Sequence, residues 1–241
     1  MTRPQDLTGR PWPVVVARLL GGGVLVYLAL VAAGLTLTRV GALGGLRTAD
    51  LSASSWFVAH RTPTMDFWTV YYSGLSNTNT AVLVGVLLVV VLALVLRRWQ
   101  EPVALATALL GELFIFLLVT ATVHRPRPPV GRMDPAPPTS SFPSGHTGAA
   151  VALYVTMAVL AWRYLSHRHP DRGWLRMVVT SVLVMLPVLV GYSRLYRAMH
   201  YPTDVAGGAL AGGLWVAIVV STLLPRAARP VVVAPVASVS S

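Results

Sequence analysis

The chain has 241 residues, of which 55% are hydrophobic and 11% charged, and its mean hydropathy is +0.66. Soluble globular domains carry about 25% charged residues, so this composition excludes a disordered protein and an ordinary cytosolic enzyme. The absence of cysteine excludes a disulfide scaffold, a thiol nucleophile and a cysteine-based zinc site. The formal net charge is +11, but every basic residue is an arginine standing between long apolar runs. This pattern is typical of an integral membrane protein, and we expect no nucleic-acid partner.

Six apolar runs are long enough to cross a bilayer, which takes about 20 mostly apolar residues in a helix. They are Val14–Leu37, Thr80–Leu96, Pro102–Val123, Thr147–Leu165, Trp174–Val190 and Val205–Leu224. A signal peptide is the alternative for the first run, but its apolar stretch is too long and no clear cleavage site follows. No polar linker separates two groups of runs. We therefore expect an all-α fold, a bundle of six transmembrane helices that forms a single domain over residues 1–224.

Two segments outside the apolar runs differ in composition. Arg39–Asn79, between the first two spans, contains a stretch of aromatic residues among charged ones, Leu51–Tyr72. This mixture predicts helices that lie in the membrane interface, with an ordinary loop packed on the bundle as the alternative. The tail Pro225–Ser241 is rich in Pro, Ala, Val and Ser, and we expect it to be disordered.

The placement of arginine predicts the orientation. The side that holds the N-terminus carries 11 of the 19 basic residues, and four of the other eight lie in the polar motifs described next. By the positive-inside rule both termini are then cytoplasmic. The connections between spans three and four and between spans five and six share the opposite, extracytoplasmic face.

These two connections carry the polar motifs of the chain. The first contains Arg127-Pro128 and then Pro143-Ser144-Gly145-His146. The second contains Ser193-Arg194, five residues, His200, three residues and Asp204. Because both connections lie on one face of the membrane, the motifs can converge on one site.

The residue types in these motifs suit a phosphate group. Arg127 and Arg194 offer planar forks of donors that match phosphate oxygens. Ser144 can cap the helix of the fourth span, and Gly145 permits close approach of an anion to the helix N-terminus, where backbone N–H groups are free. His146, on the same turn, can deliver a proton.

The second motif supplies a candidate nucleophile. His200 and Asp204 are one helical turn apart, so the carboxylate can accept from one ring nitrogen and leave the other as nucleophile or base. Taken singly, each motif is also common in loops and at helix ends. Their conjunction on one face favours phosphoryl transfer.

The chain resembles the type 2 phosphatidic acid phosphatase family, whose signature is K-x6-R-P, P-S-G-H and S-R-x5-H-x3-D. The second and third motifs are complete, and the first matches at Arg127-Pro128. The resemblance implies a two-step lipid phosphatase that uses no metal and no other cofactor. It implies that His200 forms a phosphohistidine, oriented by Asp204, and that His146 acts as acid and then as base. The phosphate-binding residues that it implies are Arg127, Ser144, Gly145 and Arg194.

One position departs from the family pattern, because Thr120 stands where the signature has lysine. A hydroxyl brings no charge, so the site loses a cation, for which the neighbouring His124 or Arg125 can compensate. The alternative is an attenuated or non-catalytic relative that binds or transports lipid phosphates. A vanadium haloperoxidase shares these motifs, but six membrane spans argue against it because those relatives are soluble.

The substrates that the resemblance implies are membrane lipids that carry phosphate: phosphatidic acid, phosphatidylglycerol phosphate or undecaprenyl pyrophosphate. The composition is that of a GC-rich bacterial genome and favours a role in the cell envelope. The sequence does not indicate which of these lipids is used, nor the oligomeric state.

Two further features fall within the spans. Glu112 lies in the middle of span three, where an unpaired carboxylate is costly, and we interpret it as a structural residue facing the bundle rather than a catalytic one. The glycines of span six include a G-x-x-x-G pattern, which predicts close helix packing. They are Gly207, Gly208, Gly212 and Gly213.

Overall fold

A computed structural model describes residues 10–135 and 137–224, which form helices and no strand. In chain order the helices are α1 (Trp12–Arg39), α2 (Gly44–Ala59), α3 (Pro63–Gly74), α4 (Thr78–Leu96), α5 (Gln100–Thr122), α6 (Gly145–Ala150), α7 (Thr156–Arg168), α8 (Gly173–Tyr196) and α9 (Pro202–Leu223). A 3₁₀ turn, Gly41–Leu43, precedes α2, and a π-helical segment, Val151–Val155, joins α6 to α7.

Six helices of this part of the chain are long and apolar enough to span a membrane. They are α1, α4, α5, the continuous helix Gly145–Arg168, α8 and α9. The predicted all-α fold with six membrane spans is therefore confirmed. The tail predicted to be disordered, 225–241, lies outside the described residues.

Helix α8 runs six residues beyond its predicted end at Val190 and includes Ser193 and Arg194. The apolar pattern stops there, but the helix continues because its polar residues are buried against other helices and not exposed to lipid. The Ser193 hydroxyl also donates to the Val190 carbonyl within the helix, at 2.7 Å. Arg194 consequently lies in the last turn of a helix and not in a loop.

The segment between the first two spans forms the helices α2 and α3, which pack mainly against α8. Thr62 caps α3 by accepting from the Met65 N–H, and Pro63 occupies its first turn. Aromatic side chains of both helices are exposed, among them Trp56, Phe67, Trp68 and Tyr71. These helices position two residues that contact arginines in or beside the polar motifs, Asp50 on α2 and Ser73 on α3.

Helix α9 packs against α1, α5 and α6 at the centre of the bundle. A β-carbon at position 208 would lie 2.3 Å from the Ser144 carbonyl oxygen, and one at position 212 would lie 2.7 Å from the Gly148 carbonyl oxygen. The main chains of α6 and α9 therefore touch, and the close packing predicted from the G-x-x-x-G pattern is confirmed. Gly213, by contrast, has nothing within 4 Å of such a carbon.

Glu112 is buried where α5 meets α6, with 5% of its surface exposed. A β-carbon at position 148 would lie 2.0 Å from Glu112 Oε1, so the carboxyl group fills the space that Gly148 leaves. The residue faces the bundle interior, as the interpretation from the sequence expects.

Candidate active site

The three polar motifs meet at one end of the bundle. Arg127 follows α5, and His146 lies in the first turn of α6. Arg194 lies in the last turn of α8, and His200 precedes α9. Arg127 Nη1 lies 3.1 Å from His200 Nε2, which joins the first motif to the third. The Ser144 N–H donates to the Asp204 carbonyl at 2.9 Å and joins the second motif to the third.

The ring of His200 is held by two contacts that fix its tautomer. Nδ1 lies 2.8 Å from the Ser141 carbonyl oxygen, which can only accept a hydrogen bond. Nε2 faces the Arg127 guanidinium, which can only donate. The proton of the neutral ring is therefore on Nδ1, and the lone pair of Nε2 points to the arginine.

His200 is 4% exposed, and its charge state follows from its surroundings. Burial lowers the pKa of His200 below the usual 6.5; Asp204 opposes this shift, while the charges of Arg127 and Arg194 add to it. The imidazole is consequently neutral at pH 7, which is the state that a nucleophile requires.

Asp204 lies in the first turn of α9 and is fully buried. Its Oδ2 accepts from the Tyr201 N–H at 2.9 Å and from the Ser141 hydroxyl. The distance from Asp204 Oδ2 to His200 Nδ1 is 3.7 Å, too long for a hydrogen bond. The Ser141 carbonyl thus makes the direct contact with the ring, while Asp204 holds Ser141 and supplies negative charge.

A buried carboxylate that the sequence analysis did not single out completes this arrangement. Arg125 is 7% exposed and donates to Asp204 Oδ1 at 2.5 Å and to Asp50 Oδ2 at 2.7 Å. Asp50, on α2, is 2% exposed and also accepts from the Thr203 N–H at 3.2 Å. One buried guanidinium therefore pairs with two carboxylates. The chain has only 8 acidic residues, so an aspartate outside the motifs, such as Asp50, is itself a signal of a paired carboxylate.

Neither Arg125 nor His124 supplies the charge of the missing lysine in this structure. Arg125 is taken up by its two carboxylates, and His124 is exposed. Thr120 lies in α5, where its hydroxyl donates to the Leu117 carbonyl at 3.0 Å. None of these three side chains adds a free cation to the site.

Ser144 and Gly145 form the N-terminus of α6. The Ser144 hydroxyl accepts from the Thr147 N–H at 3.4 Å, which confirms the predicted cap. A β-carbon at position 145 would lie 2.7 Å from the Phe116 ring, so glycine is required for this close approach. The helix therefore begins beside His146 with no side chain at position 145 to cover its N-terminal amides.

Both arginines of the motifs hold unused donors. Arg127 Nε and Arg194 Nε are buried, and neither has a hydrogen-bond partner among the described residues. Arg127 Nη1 also donates to the Met199 carbonyl at 2.8 Å, and Arg194 Nη1 donates to the Ser73 hydroxyl on α3. A buried donor without a partner is costly, so an incoming anion gains from both groups.

A cavity of about 300 Å³ opens beside Arg194. His146, Arg194, Ser73 and Asn77 are among the polar side chains that line it. Val70 and Met199 contribute apolar surface. The cavity therefore combines donors for an anion with a histidine that can transfer a proton.

Asp134 and Arg197, which the sequence analysis did not single out, also line this cavity. Asp134, from the loop between α5 and α6, pairs with Arg197 through both of its oxygens and lies 3.4 Å from Arg194 Nη1. Burial works to raise the pKa of Asp134, but its hydrogen bonds and proximity to Arg197 and Arg194 outweigh it and lower that pKa. The carboxylate is ionised and occupies the edge of the cavity.

Within the described ranges, no group of three or more His, Asp or Glu side chains is arranged to hold a metal ion. The donor set of the site is cationic, since two arginines surround the histidines. Such a set fits an anion directly.

Comparison with known proteins connects this site to a family. Residues 101–227 match the sequence profile of the PAP2 superfamily. The undecaprenyl-diphosphatase BcrC of Bacillus subtilis is 32% identical over 121 residues, which are 48% of this chain and 52% of that protein. Phosphatidylglycerophosphatase B of Bacillus subtilis is 36% identical over 72 residues, 30% of this chain and 34% of that protein. The matches thus span about half or less of these relatives' length.

The fold has a counterpart among solved structures. The crystal structure of a transmembrane PAP2-type phosphatidylglycerolphosphate phosphatase from Bacillus subtilis superposes with a TM-score of 0.68. The superposition covers 85% of this chain and 95% of that one, at 22% sequence identity. Because the family profile matches more than half of the sequence, and the bundle and motifs agree with it, the chain belongs to the PAP2 superfamily.

Proposed function

We propose that this protein is a membrane lipid phosphatase that works through a phosphohistidine intermediate on His200. The observation that carries the proposal is the fixed tautomer of His200. Its Nε2 lone pair faces Arg127, which holds an unused donor. The preceding residue, Met199, lines the cavity together with His146 and Arg194. A phosphate that draws Arg127 onto its oxygens frees this lone pair and brings phosphorus next to it.

The reaction then has two steps. In the first, His200 Nε2 forms a bond to phosphorus while the bond from phosphorus to the leaving oxygen breaks, and His146 protonates that oxygen. In the second, His146 takes a proton from water, whose oxygen attacks phosphorus and breaks the P–N bond. Inorganic phosphate leaves and His200 is neutral again.

The remaining motif residues stabilise the charge on the phosphoryl oxygens. Arg127, Arg194 and the Gly145 amide at the helix N-terminus donate hydrogen bonds to these oxygens. Ser144 holds the first turn in place and presents its hydroxyl nearby. Asp204 holds Ser141, whose carbonyl keeps the His200 ring in its reactive tautomer.

The substrates we propose are lipids that carry a terminal phosphate or diphosphate. The names of the relatives support this class, since they include an undecaprenyl-diphosphatase and a phosphatidylglycerophosphatase. A site at the end of a membrane bundle can hold the phosphate while the acyl or prenyl chain stays in lipid. The arginine distribution favours cytoplasmic termini and a site on the extracytoplasmic face.

The test is phosphate release by the detergent-purified protein, with EDTA present, from phosphatidic acid and undecaprenyl pyrophosphate in parallel. We expect release from at least one lipid and a loss of at least about 10³-fold in His200→Ala, since nucleophile and base act as a unit. Labelled phosphate should be trapped on the wild-type protein by acid-free quenching, and not on the variant.

Arg132→Gln is the control, because Arg132 is an exposed arginine of the loop between α5 and α6, which also carries Arg127. Release that persists in His200→Ala would contradict the phosphohistidine route. No release from either lipid by a folded protein would favour the non-catalytic alternative, in which Thr120 leaves the site short of a cation.

A further inference from the structure

The end of α8 carries a second guanidinium that the family motif does not include. Arg197 follows Arg194 by three residues, so both side chains leave the same side of the helix end. Both line the cavity that His146 also lines. Arg197 is 7% exposed, so a buried positive charge stands next to the proposed phosphate site.

A single carboxylate connects these two arginines. Asp134 Oδ2 accepts from Arg197 Nε at 2.8 Å, its Oδ1 accepts from Arg197 Nη2, and Oδ2 lies 3.4 Å from Arg194 Nη1. A carboxylate bound through two parallel hydrogen bonds has the geometry in which arginine also binds phosphate. The Asp134 position is therefore an anion position, within reach of the arginine that belongs to the reaction site.

Asp134 is the most exposed member of this cluster. Its side chain is 27% exposed, against 8% and 4% for Arg197 and Arg194, and it comes from a loop and not from a helix. Arg197 is held independently, because its Nη1 also donates to the Thr69 hydroxyl on α3 at 3.4 Å. An anion that displaces Asp134 thus meets a guanidinium that stays in place.

We propose that Arg197 binds the second phosphate of a diphosphate ester, and that Asp134 occupies this position when no substrate is bound. The inference rests on the proposed function and adds a substrate class to it. His200 attacks the terminal phosphorus, the bond from that phosphorus to the bridging oxygen breaks, and its electrons go to the phosphate that remains on the lipid. Arg197 stabilises the negative charge of this leaving phosphate. A monoester has no second phosphate, so its leaving group gains nothing from Arg197.

The dimensions of the cavity agree with this assignment. Its volume of about 300 Å³ is ten times the roughly 30 Å³ that one water molecule takes up in the liquid. Ser73 and Asn77 add neutral hydrogen-bonding groups to its lining. A polyatomic anion beside the reacting phosphate therefore fits and finds donors.

The experiment compares two substrates with the same chain, farnesyl diphosphate and farnesyl monophosphate, in wild type and Arg197→Gln. We expect kcat/KM for the diphosphate to fall about 10- to 100-fold more than for the monophosphate, which is the effect of one lost charge-assisted hydrogen-bonded pair. Arg132→Gln removes an exposed arginine charge from the loop between α5 and α6, which also carries Asp134, and should leave the ratio of the two substrates unchanged.

Asp134→Asn is the second variant, and it keeps the shape of the side chain while removing its charge. It should lower KM for farnesyl diphosphate several-fold, because the competing anion is gone. An unchanged or higher KM overturns the displacement of Asp134. Equal losses on both substrates in Arg197→Gln, or no loss on either, overturn the second-phosphate site, since a merely structural arginine affects both alike.

Direct binding separates this inference from the proposed function. Titration calorimetry with inorganic pyrophosphate and with inorganic phosphate needs no turnover. Wild type that hydrolyses neither farnesyl substrate, and neither phosphatidic acid nor undecaprenyl pyrophosphate, refutes the proposed phosphatase. In that case, pyrophosphate binding that weakens at least 10-fold in Arg197→Gln, with phosphate binding unchanged, still supports the anion site, and equal weakening of both overturns it.

Discussion

Arg125 is expected to be a stability determinant because its guanidinium pairs with two buried carboxylates. Arg125→Gln leaves Asp50 and Asp204, 2% and 0% exposed, without a cation. Removing one partner of a buried ion pair typically costs about 3–5 kcal/mol. For a chain of this size 1 kcal/mol shifts the midpoint of thermal unfolding by about 2–4 °C, so we expect a decrease of roughly 6–20 °C.

The assay is thermal unfolding in detergent, followed by the intrinsic fluorescence of the seven tryptophans. Arg132→Gln serves as the control, since substitutions at exposed positions usually stay within about 0.5 kcal/mol. The double variant Asp50→Asn with Arg125→Gln removes one of the two stranded carboxylates. It should unfold at a higher temperature than Arg125→Gln alone, with a coupling of about 1–3 kcal/mol.

Two results would refute this reasoning. A loss in Arg125→Gln no larger than that in Arg132→Gln would mean that the buried cluster contributes nothing to stability. Strictly additive effects in the double variant would mean that Asp50 and Arg125 are not coupled.

Three further predictions concern the site and its backbone. Because burial lowers the pKa of His200 below 6.5 and the neutral ring attacks, the acid limb of kcat/KM against pH should lie below pH 6.5, and a limb above it would refute a neutral buried nucleophile. Ala198 has φ 56°, a left-handed backbone conformation that glycine adopts more easily, so Ala198→Gly should raise the unfolding free energy by about 1 kcal/mol. Ala209→Gly, at an exposed position in the middle of α9, should lower it by about the same amount. Gly208→Ala should abolish phosphate release because its β-carbon would lie 2.3 Å from a carbonyl oxygen, whereas Gly213→Ala, with open space around it, should retain activity.

The membrane spans were predictable because a long apolar run is sufficient to identify a helix that can cross a bilayer. Each of the six apolar runs corresponds to a helix within the described residues. The predicted ends of the helices were less accurate, since hydropathy depends on apolar side chains alone. Helix α8 continues through Ser193 and Arg194, whose polar groups are buried by neighbouring helices. Burial of a polar residue depends on tertiary packing, which hydropathy does not contain.

The candidate site was likewise predictable only in part. Local spacing in the motifs predicted Arg127, His146 and His200, but the ion pairs of Arg125 and Arg197 beside them join distant parts of the chain. Asp50 lies 75 residues before Arg125, and Asp134 reaches Arg197 across 63 residues. No periodic pattern links such pairs, and only the tertiary packing of the helices and of the loop between α5 and α6 brings them together.

The main-chain contact between α6 and α9 also determines where this protein is free to vary. The helix ends that carry His146 and Asp204 meet through a glycine and a carbonyl group, so no adaptable side chain lies between them. Their relative position is therefore insensitive to the outer surfaces of α4 and α8, where most of each span faces away from the protein. Those surfaces can change with the surrounding lipid while the site keeps its dimensions.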